Sequence, residues 1–457
     1  MTFQRLGSRR PWHPSPFNTF ALIALVAAAT AAPAAAQIIL PPGTIVPFGS
    51  AGVYIDADAT LRVRQTDAEQ KLQRLRLAAR QRHGGAKEQG LCYVSLPTLF
   101  NDVRKLVEAG KPVPDSMRLL NGMTKLKYVF VYPAERDLVI AGAFEPWDAT
   151  DPIRPIGKLT GRPVLQLDDL VVALRVVGPG RAANAFGCSI DMPIGAEEKV
   201  KRVMYEDPAT RRLPRPQKQA ALADAVGPQS VRFFGVPADT RFAFTCVEAD
   251  YRLKRLAMGL DLTPVPQVQV SLNHSAVRYN RMWFTETDKP VVVVSPQGEA
   301  YELRGRAMEL NSSGSQTAQS DATAGVQQFT ALFNQNFDKL ADAIASFADL
   351  ANLSDLGLFA ALVAQDRLHE KVKWDLSWLL EPSGYPVPQV PVPRLADTVV
   401  GYRTRTYVIG GVNLRLGSAA QPKRRLQDDS GKLAEQAQRP QDGRWLFVPE
   451  QLSPSQQ

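Results

Sequence analysis

The chain has 457 residues, 45% of them apolar and 22% charged, so most of it can bury a core, with length for two or three domains. The formal charge of +9 comes without a dense Lys/Arg block interleaved with aromatics, which argues against nucleic-acid binding. Three cysteines (Cys92, Cys188 and Cys246) sit in apolar flanks with no CxxC, so buried free thiols are expected, with at most one disulfide in an oxidising compartment.

The N-terminus carries an export pattern. Arg5, Arg9 and Arg10 make a basic region, 20–32 is apolar, and Ala34, Ala35 and Ala36 precede Gln37 as a small-residue cleavage site. The expected signal peptide is 1–36. Its Arg pair suits a twin-arginine signal or an ordinary basic region. Cleavage would leave a charge of about +6, mild enough for either acidic partners or a plain solvated surface. No later run is expected to span a bilayer.

The segment 52–63 (GVYIDADATLRV) predicts a hairpin. Its Asp56/Asp58 spacing starts like a calcium loop, but Leu61 stands where glycine is required, so a turn is expected. A polar helix is expected over 65–82, then a strand at 91–94. Ser95 should cap a helix with Pro97 in its first turn. Strands at 128–132 and 138–143 flank a turn at 133–136. A Pro/Gly-rich connection covers 148–163, and 170–177 is expected to be helical, capped by Asp168 or Asp169. Gly178, Gly180 and Ala183 satisfy GxGxxA, yet a strand resumes at 186–190, which leaves no room for the helix a dinucleotide site needs. Short helices at 197–204 and 217–225 surround a basic Pro-rich loop, and a strand at 231–236 follows.

The stretch VPADTRFAFTCVEADYRLKRLAMGL (236–260) organises the chain. Asp239 or Thr240 is the expected N-cap and Gly259 the C′ stop. At 100° per residue, Phe242, Cys246, Ala249, Leu253, Leu256 and Leu260 share one face, while Phe244, Val247, Tyr251 and Met258 share a nearly opposite one. Two apolar faces predict a helix held between layers. A third stripe contains Arg241, Thr245, Glu248, Arg252 and Arg255, with Glu248–Arg252 and Asp250–Lys254 at ion-pair spacing. It is either the solvated edge of a core helix or a cleft-facing site for an anion or carboxylate.

This stretch, with GRPVLQLDDLVVAL (161–174), YVFVYPAERDLVIAG (128–142) and the GVYID start at Gly52, resembles an uncharacterised family of bacterial exported proteins, domain of unknown function 1598. The resemblance covers most of 52–260. It implies no activity and transfers no catalytic residue.

Beyond Gly259, strands are expected at 282–285, 291–295 and 300–308, with a turn at 296–298. A Ser/Thr/Gln-rich linker spans 311–325. Phe329, Phe333, Phe337, Leu340, Ile344 and Phe347 follow helical spacing, and a second helix is expected from a cap at Ser354. The resulting helical hairpin covers 326–381. A Pro-rich extended segment and two strands about Gly410 and Gly411 cover 382–417. The tail 418–457 is expected to be disordered, except that 444–448 (RWLFV) has the pattern of a docking strand or a partner-binding peptide.

Few chemical motifs survive. His369-Glu370 begins a zinc-protease pattern, but Lys373 replaces the second histidine. His83, His274 and His369 are scattered, and no Walker A loop, GxSxG or Ser-x-x-Lys occurs. No metal or cofactor is expected. Glu248 and Asp250 point about 160° apart on a helix, so they cannot share a proton relay. The expected fold is α+β: a mixed or antiparallel sheet with helices packed around the helix at about 239–258, then a helical pair and a short C-terminal β segment. The expected function is non-catalytic binding or assembly in the periplasm or envelope, with an acidic envelope polymer or another envelope protein as partner. The alternative is a hydrolase of envelope material, its cleft lined by Arg241, Glu248, Arg252 and Arg255 with an outside carboxylate such as Asp168 or Asp191.

Overall fold

The computed structural model describes residues 53–56, 58–63, 90–181, 185–261, 263, 265–270, 281–314, 324–403, 406–408, 413–417 and 425–438. All belong to one unit, Pro41–Gln457. The expected signal segment, the helix expected over 65–82, His83, His274 and the 444–448 peptide lie outside the described residues.

Strands β1 (Val53–Ile55) and β2 (Thr60–Val63) form the expected hairpin. Asp56 Oδ1 accepts the backbone N–H groups of Asp58 and Thr60, so this acid builds the turn. Strand β3 (Leu91–Ser95) runs into α1 (Leu96–Glu108), where Ser95 is the N-cap as its spacing predicts. The hairpin β4 (Met123–Tyr132) and β5 (Asp137–Phe144) follows. Then come α2 (Leu167–Val177), β6 (Ala185–Asp191), α3 (Arg215–Val226), β7 (Gln229–Phe234) and the central helix α4 (Arg241–Ala257).

The second half supplies β8 (Arg281–Glu286), β9 (Val292–Val294), β10 (Ala300–Leu303) and β11 (Met308–Ser313). The single strand expected over 300–308 is divided, because the 304–307 turn carries the chain from one sheet to the other. Residues 311–313, expected in the linker, complete β11 by pairing with β8. Helices α5 (Ala324–Gln335), α6 (Phe337–Ala343) and α7 (Ala345–Gln365) come next. The break falls at Ile344, whose φ/ψ of −115/102 is extended. Ser354, the expected cap, is buried in the middle of α7 instead. Strands β12 (Leu395–Ala396), β13 (Asn413–Gly417) and β14 (Arg425–Gln427) and helix α8 (Lys432–Gln436) finish the fold.

The fold is mixed α+β, as expected. One sheet has the order β1-β2-β12-β7-β6-β13-β8-β11, the other β14-β9-β10-β4-β5-β3. Central helix α4 packs on β6 and β13 of the first sheet and on α2 and α7 opposite; α7 in turn reaches β4 of the second sheet. The layers are sheet, α4, α2 with α7, sheet. This explains the two apolar faces of α4.

Three expectations change here. The hairpin expected about Gly410 and Gly411 lies earlier, 401–403 pairing antiparallel with 406–408, while 413–417 lies between β6 and β8. Residues 425–438, expected in a disordered tail, are structured: β14 pairs parallel to β9, and Leu433 of α8 is buried on the outer face of the second sheet. Finally, α7 is long and apolar enough to cross a bilayer, but 83% of its apolar window is buried inside the fold.

Candidate functional site

Helix α4 forms where its caps place it. Thr240 Oγ1 accepts the Ala243 N–H at 3.2 Å. At the other end Gly259 adopts φ 69°, and Gly259 and Leu260 donate to Leu256 and Arg255. That double bond is the Schellman stop, and its left-handed residue favours glycine. Phe242 meets Phe186 of β6 edge-on at 5.2 Å.

The polar stripe divides into two closed groups. Arg241 donates to Asp169 of α2, to Asp349 of α7 at 3.4 Å and to the Ile153 carbonyl at 3.1 Å. Glu248 accepts from Arg154 at 2.5 Å, and Arg154 also reaches Asp349 at 2.5 Å. Arg154 comes from the 148–163 connection, which dips between the helices. Five ionisable groups from four segments therefore meet with almost no solvent. Burial pushes the Asp169 carboxyl up to about 6 against the pull of Arg241. Arg154 is held firmly charged, its own burial outweighed by Glu248 and Asp349. One turn beyond the helix, Arg252 and Arg255 both donate to Asp261, at 2.9 and 2.7 Å. Glu248–Arg252 is thus not an ion pair; each finds a partner far along the chain or past the helix end.

The Asp250–Lys254 spacing also fails to make a contact pair. Lys254 Nζ donates to Gln229 of β7, and both Asp250 carboxylate oxygens lack a hydrogen-bond partner among the described residues. Burial pulls Lys254 down to about 7 and pushes Asp250 well up. Cys92, Cys188 and Cys246 are buried free thiols, with Cys92 pushed up to about 12 by burial. These thiols are poor nucleophiles.

Neither outside carboxylate joins Glu248. Asp168 accepts from Tyr385 at 2.5 Å, while Asp191 accepts from Ser189 and faces Arg232. The two motifs set aside in sequence do come together: 178–181 and His369-Glu370 share a surface cleft of about 510 Å³. Gly178 closes the C-terminus of α2, however, where the helix dipole repels a phosphate, and Glu370 is paired with Arg367 at 2.6 Å.

A smaller cavity of about 150 Å³ lies between β4, the 304–307 turn, α6 and α7. Asp355, 6% exposed, lines it, and burial pushes this carboxyl up to about 7. Sequence reasoning missed Asp355, Asp349 and Arg154. The available signal was the set of polar residues Asp349, Asn352 and Asp355 within the otherwise apolar α7. Among the described residues no cluster of His, Cys, Asp and Glu is placed to hold a metal.

A buried helix carrying Arg241, Glu248, Arg252 and Arg255 into ion pairs between two sheets defines an α+β domain organised by its interior. Residues 188–270, which contain that helix, match the family described as Protein of unknown function (DUF1598), so this segment is a domain of that family. No curated protein and no solved structure matches the chain.

Proposed function

We propose that the protein is exported and acts in the periplasm or envelope as a non-catalytic binding or assembly protein. One observation carries the choice against hydrolysis. Glu248, the carboxylate a cleft on α4 would use, is fully buried and bonded to an equally buried Arg154. A general acid or base must come within hydrogen-bond reach of its substrate, and Glu248 is walled off by protein. Arg5, Arg9 and Arg10, the apolar run and the Ala34–Ala36 cleavage pattern support export. The mild positive charge suits an acidic envelope polymer as partner.

The test has two arms. The full chain is expressed in a bacterial host and fractionated, with the export reading expecting envelope or periplasmic material that begins at Gln37; full-length chain confined to the cytosol would overturn it. Purified protein is then incubated with envelope extract. Retention of a partner without release of soluble fragments is expected. Fragments released by the wild type, but not by Glu248→Gln, would restore the hydrolase.

A further inference from the structure

The 150 Å³ cavity holds an electrostatic mismatch. Asp355 makes no hydrogen bond or ion pair among the described residues, although its side chain is almost wholly buried. Lys125 of β4 lines the same cavity and acts on Asp355 through space, but the two are not in ion-pair contact. Lys125 likewise has no hydrogen-bond or ion-pair partner among the described residues. Of the other charges, Arg162 is engaged, while Arg306 is engaged only in part, its Nη1 having no partner among the described residues. Arg162 donates to Asp342 at 3.2 Å. Arg306 donates to the Asn334 carbonyl at 2.5 Å, lies 4.5 Å over the Phe337 ring and faces Asp338. One carboxyl and one ammonium on the walls of a single cavity are therefore without a direct hydrogen-bond or ion-pair partner among the described residues.

A buried carboxyl without a partner is costly in general, so folds seldom leave one unless something else meets it. The backbone around Lys125 is specialised too. β4 is irregular between Met123 and Lys125 and again between Leu126 and Tyr128, the kind of bulge that re-aims a side chain. Opposite, Gly142 of β5 lets the Lys125 carbonyl oxygen approach where any Cβ would overlap it. A cavity of this volume accepts a molecule of about six non-hydrogen atoms.

We infer that this cavity binds a small zwitterion of the amino-acid class, its ammonium against Asp355 and its carboxylate against Lys125. The inference rests on the reading of the chain as a binding protein and supplies its ligand. Both charges of such a molecule are answered by charge-assisted hydrogen bonds, and the site gains no net charge. Arg162 and Arg306 then frame the cavity without being drawn from their own partners.

The test is calorimetry on the full chain with L-alanine as probe, and with acetate and methylammonium as its single-charge halves. Alanine is expected to bind at least tenfold tighter than either half. Lys125→Met and Asp355→Asn should each weaken alanine at least tenfold, whereas Lys127→Met, on the exposed neighbour, should leave it unchanged. Because Asp355→Asn alters a buried position, the decision falls on Lys125→Met, whose side chain is only half-buried, with circular dichroism confirming the fold. Absence of alanine binding at millimolar concentration overturns the inference, as does acetate binding as tightly as alanine or Lys125→Met binding normally. The envelope pull-down is separate: a chain that retains its partner yet ignores alanine loses this ligand and keeps the binding reading.

Discussion

Arg154 Nη2 and Glu248 Oε2 stand 2.5 Å apart, 94 residues apart in the chain, with both side chains at 0% exposure. Such a pair holds the 148–163 connection against the central helix. Taking two charges out of water is costly, so its worth appears when one partner is removed and the other is left buried. Glu248→Ala is expected to destabilise the protein by about 3–5 kcal/mol in urea unfolding. Arg154→Met with Glu248→Leu should cost less than either single change, because Glu248 is no longer left unpaired and Asp349, which loses Arg154, keeps Arg241. Equal losses from the single and double variants would contradict this.

Lys254 gives a pH signature. Its folded-state pKa is pulled to about 7 by burial, with Asp250 as its charged neighbour. Between about pH 7 and 10.5 the unfolded chain then binds more protons at this lysine than the folded one, so stability rises with pH across that window. Below about 7 the cost of burying the charge is complete. Unfolding at pH 7.5 and 9.5 should show a wild-type gain, relative to Lys254→Met, on the order of 2 kcal/mol. A wild type and variant with parallel pH profiles would refute the assignment.

The three thiols should be silent in the native protein. Cys92, Cys188 and Cys246 are buried, and desolvation raises each above the ordinary thiol range. Iodoacetamide at pH 8 is expected to leave the folded chain unmodified and to label all three in urea, as read by intact mass. Fast labelling of any one in the native state would mean that its layer opens.

The C-terminal dock is a further point of attack. Arg425 holds Asp366 at 2.6 Å, Tyr132 donates to the Ala437 carbonyl at 2.7 Å, and Leu433 is 3% exposed. Leu433→Ala should cost about 2–5 kcal/mol if the segment unfolds with the whole domain. Limited proteolysis should then release the segment after Gln427 faster than from wild type. An unchanged digestion pattern would argue against this docking.

Local signals were legible in the sequence. Thr240 and Gly259 mark both ends of α4, Ser95 starts α1, and 133–136 turns β4 into β5. Periodicity also told that α4 has two buried faces. It could not tell what each face meets. Glu248 has Arg252 four residues away, at helical ion-pair spacing, yet it finds Arg154; Lys254 passes over Asp250 and takes Gln229 from a neighbouring strand. Ser354 resembles a cap in sequence because caps and buried serines look alike until packing decides. The split between β10 and β11 depends on which sheet each joins, a long-range choice absent from local pattern. For the same reason Asp355 and Lys125, 230 positions apart, gave no sign of sharing a cavity.

Strand β13 lies between β6 and β8, although it follows them by more than a hundred residues. While the ribosome has not yet released residues 413–417, the middle of the larger sheet has no strand to close it. Non-local pairing of this kind forms late and slowly. Were the proposed export to thread the chain unfolded, N-terminus first, that delay would be an asset: the polypeptide would stay loose enough to pass a pore, and synthesis order itself would set the moment of maturation.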